Sequence, residues 1–125
     1  MFKNLTITSL LGGSALLLGA FGAHALKETF TPAQLLSFET AVRYQMFHVL
    51  VLLIVNMYEG FSLKEKNRIS AFFFAGIVFF SGSIYLIQLT TITAASIWFV
   101  TPLGGLFLGV GWFLLVVIFL KKWIK

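Results

Sequence analysis

"GAFGAHALKETF", residues 19–30, closes an apolar run, and its reading decides how many helices the chain contains. Lys3, the apolar stretch behind it and Ala23-His24-Ala25 fit a secretory signal with a small-x-small cleavage site, which would leave three helices. The run from Leu5 to Ala23, however, is nineteen residues long. A signal's apolar core is usually ~7–15 residues, whereas about 20 are needed to cross about 30 Å of hydrocarbon. Thr8, Gly12, Ala15, Gly19 and Gly22 also recur at spacings of four and three. Such a stripe lets helix backbones approach closely in lipid, and a discarded signal has no use for a packing face. The stretch therefore reads as the outer end of a retained first helix, with His24 at its tip.

Composition supports a lipid solvent. Of 125 residues, 59% are hydrophobic and 10% charged, against roughly 25% charged in a soluble domain. The net charge of +5 lies at the ends of apolar runs, so it reads as a topology signal and not as a nucleic-acid surface. The absence of cysteine excludes disulfides and thiolate chemistry. Beyond the first run, Ile69–Leu89 and Val100–Leu120 are each long enough to span. Met46–Tyr58 reaches only about 20 Å and must extend upstream. Thr31, Pro32 and Gln34 form a capping-box signature there. One long helix over 32–59 is expected, its outer turns packed over the mouth of the bundle, with Arg43 snorkelling and spaced to pair with Glu39. Lipid forbids unpaired backbone, so every run should be helical. The expected fold is all-α: an integral membrane bundle of four antiparallel transmembrane helices, about 5–24, 32–59, 69–89 and 100–121, in a single domain. Seven Lys/Arg against two place both termini in the cytoplasm.

The polar residues inside the spans are the candidate site. Gln45, His48, Asn56 and Glu59 share one stripe of helix two; Ser70, Ser81, Tyr85 and Gln88 share one of helix three. By depth, His24, Gln45, His48, Tyr85, Gln88 and Thr101 are expected to converge just below the outer surface. That cluster reads either as interhelical hydrogen bonding or as a hydrated site for proton or solute movement. Two His with Glu28 or Glu39 would suit a metal, but neither HxxxH nor HExxH is present, and no metal or cofactor is assigned. Gly105-x-x-x-Gly109 joins Gly12, Ala15, Gly19 and Gly22 as a candidate helix-packing element. No nucleophile–base–orienter set is visible, so no catalytic residue is assigned.

"GAFGAH" (19–24), "RYQMFH" (43–48), "FFSGSIYL" (79–86) and "TPLGG" (101–105) followed by "GW" (111–112) occur in this order. In this the chain resembles the small bacterial membrane proteins of domain of unknown function 423, also called UPF0382. The resemblance implies a four-helix inner-membrane protein that keeps its first helix, has no established activity and brings no catalytic residues. Ala25 stands where that family often has Gly. The expected role is that of a non-enzymatic accessory or scaffold protein in the bilayer, with a homo-oligomer or another membrane protein as partner. The alternative is a small oligomeric transporter or channel.

Overall fold

Two reciprocal caps set the frame of the chain. Thr31 Oγ1 accepts from the Gln34 backbone N–H at 3.2 Å, and Gln34 Oε1 accepts from the Thr31 N–H at 2.9 Å. Ser62 and Glu65 repeat the arrangement at 3.2 and 2.8 Å. Each satisfies two N–H groups that a helix start leaves without intrahelical partners. The structure, a computed structural model, describes residues 2–125. Its four helices are α1 (Phe2–His24), α2 (Pro32–Met57), α3 (Leu63–Leu89) and α4 (Val100–Trp123), with no strand among the described residues. All four are long and apolar enough to cross a membrane. The second cap starts α3 six residues before the apolar run, because a capped polar turn carries the helix out of the hydrocarbon.

The helices alternate in direction. Asn4, Gly12, Gly19 and Gly22 of α1 meet Asn56, Val49, Val42 and Phe38 of α2, so one numbering rises as the other falls. Asn56 and Gln45 of α2 likewise meet Ser70 and Tyr85 of α3. Gly76 and Phe80 of α3 meet Leu108 and Gly104 of α4. The extensive contacts are those between consecutive helices, so α2 and α3 are central, α1 flanks α2 and α4 flanks α3. Between α2, α3 and α4 lies an apolar core that includes Leu52, Val55, Ile69, Phe73, Ile77 and Leu108.

Small residues set the closeness of the two outer pairs. A Cβ on Gly12 or Gly19 would stand 3.2 Å from Val49 or Val42, and one on Gly22 would stand 2.8 Å from the Phe38 ring. Thr8 and Ala15, on the same stripe, are fully buried. On α4 the tight face is Gly104, Leu108 and Gly111: a Cβ at 104 would lie 2.2 Å from the Phe80 nitrogen, and one at 111 would lie 2.6 Å from the Phe73 ring. Gly105 and Gly109 are not on it. Nothing lies within 4 Å of a Cβ at 109, and the nearest atom to one at 105 is 3.9 Å away. At about 100° per residue, the stripe 104–108–111 faces α3 and the neighbouring stripe 105–109 turns aside. The i, i+4 glycine pair is thus present in sequence but displaced by one position from the contact.

Candidate functional site

The polar side chains of the spans do not gather at one mouth. They form separate groups, each built where two or three helices touch. The first surrounds Gln45, which is 3% exposed. Its Nε2 donates to the Leu11 carbonyl at 2.8 Å and to Ser14 Oγ at 2.9 Å, and its Oε1 accepts from the Tyr85 hydroxyl at 2.7 Å. One amide therefore ties α1, α2 and α3 together with both protons and its oxygen engaged. Ser81, one turn before Tyr85 on α3, donates to the Ala41 carbonyl at 2.7 Å.

The second group holds His48 between α2 and α4. Its Nδ1 lies 2.7 Å from the Tyr44 carbonyl, and Trp112 Nε1 lies 3.1 Å from its Nε2. A carbonyl only accepts and an indole N–H only donates. Nδ1 must therefore carry the proton and Nε2 the lone pair, which specifies one neutral tautomer. The Phe73 and Trp112 rings pack on the imidazole with centroids 5.4 and 6.1 Å away.

The third group lies at the end of the molecule where α1 and α3 begin and α2 ends. Asn56 is fully buried; its Nδ2 donates to the Leu52 carbonyl at 2.9 Å and to Ser70 Oγ at 2.8 Å. Asn4 Nδ2 donates to Asn56 Oδ1 at 3.0 Å and to Asn67 Oδ1 at 2.9 Å. Lys66, 7% exposed, donates from Nζ to the Asn56 carbonyl at 3.0 Å. This carbonyl belongs to the last turn of α2, where unsatisfied acceptors and the negative end of the helix dipole favour a cation.

Of the residues expected to converge, only Gln45 and Tyr85 are bonded to each other. Thr101 pairs with Ser83 across α3 and α4. Gln88 lines a separate groove with Ser37, Thr40 and Ala94. His24 is exposed at the end of α1, and Glu59 is exposed beyond α2. Depth differs as well. Gln45 faces Leu11 and Ser14, and His48 faces Trp112, each near the middle of its helix. Setting the first turns of the 32–59 helix at or above the headgroups put the centre of the span too far along the chain; α2 is Pro32–Met57, with buried residues from Phe38 to Asn56, and Gln45 stands near its middle. Glu39 and Arg43 form no ion pair; among the described residues only Lys122 and Glu65 do, at 3.7 Å. Asn4, Ser14, Lys66, Asn67 and Ser83 escape the sequence reading. The Ser62-x-x-Glu65 box would have placed Lys66 and Asn67 on a helix, and the indole N–H of Trp112 signals that a mid-span acceptor is needed. Among the described residues no three His, Cys, Asp or Glu lie close enough to hold a metal.

Four apolar helices with their interior polar groups satisfied inside the bundle define a multi-pass helical membrane protein. The chain belongs to the family described as "Protein of unknown function (DUF423)", whose model matches residues 18–105. It is 40% identical over 99 residues to a UPF0382 membrane protein of Staphylococcus aureus, covering 79% of this chain and 80% of that one. It is 42% identical over 99 residues to a UPF0382 membrane protein of Staphylococcus saprophyticus, covering 79% and 81%. It is also 37% identical over 108 residues to the UPF0382 inner membrane protein YgdD of Escherichia coli strain K12, covering 80% and 76%. These names give a location and no activity. No solved structure matches the chain.

Proposed function

We propose that this chain acts by association within a bacterial plasma membrane, as a non-enzymatic accessory or scaffold subunit with both termini in the cytoplasm. One observation carries the reading: the interior polar groups are all satisfied within the bundle. No buried side-chain nitrogen or oxygen among the described residues lacks a hydrogen-bond partner. Both amide protons of Gln45 and both ring nitrogens of His48 are already engaged within the bundle, so a substrate would take them only by displacing a bond. Recognition then falls to the lipid-facing surface. There, exposed Gly109 stands between exposed Leu106 and Phe113 on the face of α4 that turns away from α3. A gap between large apolar side chains lets a partner helix approach closely in lipid.

The orientation rests on charge. Lys3, Lys64, Lys66, Arg68, Lys121, Lys122 and Lys125 lie at the end shared by the α1 and α3 starts and the α2 and α4 ends; Lys27 and Arg43 lie toward the other. The chain lacks cysteine, so single cysteines report without background. Gly109→Cys should cross-link to one stoichiometric partner, or to a second copy, in native membranes. Exclusively monomeric protein with no co-purifying partner would refute association. Solute flux in proteoliposomes that His48→Ala abolishes would replace it with the transport reading.

A further inference from the structure

Arg43 is the charge that the packing of the helices does not account for. Its neighbour Val42 faces Gly19, and α1 ends five residues beyond Gly19 at His24. At 1.5 Å per residue, Arg43 therefore lies about 9 Å inside the end of α1. Its side chain is exposed, and it makes no hydrogen bond or ion pair among the described residues. An unpaired cation at that depth is costly and finds a counter-group or reaches the interface. Helical side chains tilt toward their own helix N-terminus, which for α2 is the end carrying the 25–31 connection. The guanidinium is thus aimed at the headgroups of that leaflet.

An apolar groove of about 450 Å³ runs between α1 and α2, with Arg43 as its single charged lining residue. Leu16, Gly19, Ala20, Met46 and Phe47 form much of its surface. Gly19 and Ala20 present little side chain on the α1 side, and no other charged residue lines the groove. The geometry points to a site for one phospholipid, with its phosphate on Arg43 and an acyl chain lying in the α1/α2 groove. The planar guanidinium fork matches phosphate oxygens in pairs, and hydrocarbon is the natural filling of an apolar groove at this depth. A second copy of the chain fits poorly, because a two-fold contact through this face sets Arg43 against Arg43 with no acid lining the groove. This assignment stands independently of the association proposed above.

Native mass spectrometry of the purified full chain tests it, with phosphatidylglycerol of one defined chain length as probe. The wild type should retain one lipid. Arg43→Gln should lower its affinity by about tenfold, the scale expected for lost hydrogen bonds to a charged group, and Arg43→Lys should restore part of it. Ala20→Phe and Leu16→Trp, both at exposed positions on the groove rim, should weaken binding by filling the groove. Lys27→Gln, at the same end of the molecule, should leave it unchanged. Diacylglycerol with the same tails should not be retained. The site is overturned if Arg43→Gln binds like the wild type, if Lys27→Gln weakens binding equally, if the rim variants have no effect, or if the retained mass is a second chain.

Discussion

Gly104→Ala is the sharpest probe of the α3/α4 contact. The added methyl would lie 2.2 Å from the Phe80 nitrogen, 2.6 Å from the Phe79 carbonyl carbon and 2.7 Å from the Phe80 Cα. These are backbone atoms of a helix and no rotamer change relieves them. Ordinary contact begins at 3.4 Å, so the helices must separate locally by about 1 Å. A gap of that size forfeits about a quarter to a half of each dispersion contact across it. It also takes the short Ser83–Thr101 hydroxyl pair out of hydrogen-bond range. Overpacking costs about 1–3 kcal/mol and an interhelical bond in lipid about 0.6 kcal/mol, so the substitution should destabilise by roughly 2–3 kcal/mol. Gly109→Ala is the control. It meets nothing within 4 Å and gains the better helix propensity of Ala, worth up to about 1 kcal/mol. Reversible unfolding in mixed micelles, titrated with a denaturing detergent and followed by circular dichroism, measures both. Equal stability of the two variants, or a larger loss at 109, would refute the assignment of the packing face.

The remaining groups make separate predictions. In a Gln45→Leu, Tyr85→Phe double-mutant cycle in the same unfolding assay, the coupling should be about 0.6–1.7 kcal/mol, because one hydrogen bond joins the pair; zero coupling would remove that bond. Asn56→Ala should cost more than Asn67→Ala, since Asn56 is fully buried and its side chain makes three hydrogen bonds while Asn67 is exposed. The unpaired buried partners left behind suggest about 1–3 kcal/mol. With Trp98 and Trp123 replaced by Phe, His48→Ala should shift the fluorescence of Trp112, whose indole proton it accepts; an unchanged spectrum would count against that contact. A cysteine at Lys27 should react with an impermeant maleimide added to intact cells, and one at Lys64 only after lysis; the reverse pattern would invert the orientation.

Span number and packing stripe were legible for a shared reason: both follow from the chain's own covalent pattern. Nineteen apolar residues, and small side chains at three and four, need no knowledge of a neighbour to be read. The start of α3 was legible too, but in a different signal. Hydropathy rejects Lys64, Glu65, Lys66 and Asn67, while the capping box of Ser62 and Glu65 places all four on the helix. The glycines of α4 mark the limit. Gly104, Gly105, Gly109 and Gly111 offer several spacings of small residues, and only the rotation of α4 against α3 selects among them. That rotation depends on Phe73, Gly76 and Phe80 of α3, which no local pattern on α4 contains.

The same distinction explains why the expected polar mouth dissolved into separate bonds. A polar atom in hydrocarbon must find a partner, and that requirement turns Gln45, His48, Asn56, Ser70 and Ser81 inward. It does not follow that they find one another. A membrane helix offers a backbone carbonyl at every residue, each with a lone pair beyond the one used by the ladder. Gln45 uses Leu11, His48 uses Tyr44, Asn56 uses Leu52 and Ser81 uses Ala41. Carbonyl acceptors are spread evenly along the span, so scattered side chains can be satisfied where they stand, and inward-facing polarity alone is weak evidence for a shared cavity. Arg43 differs because it has no such contact and faces lipid. In a protein whose interior polar groups are this fully engaged, an unengaged one at the surface is the better guide to what the molecule binds.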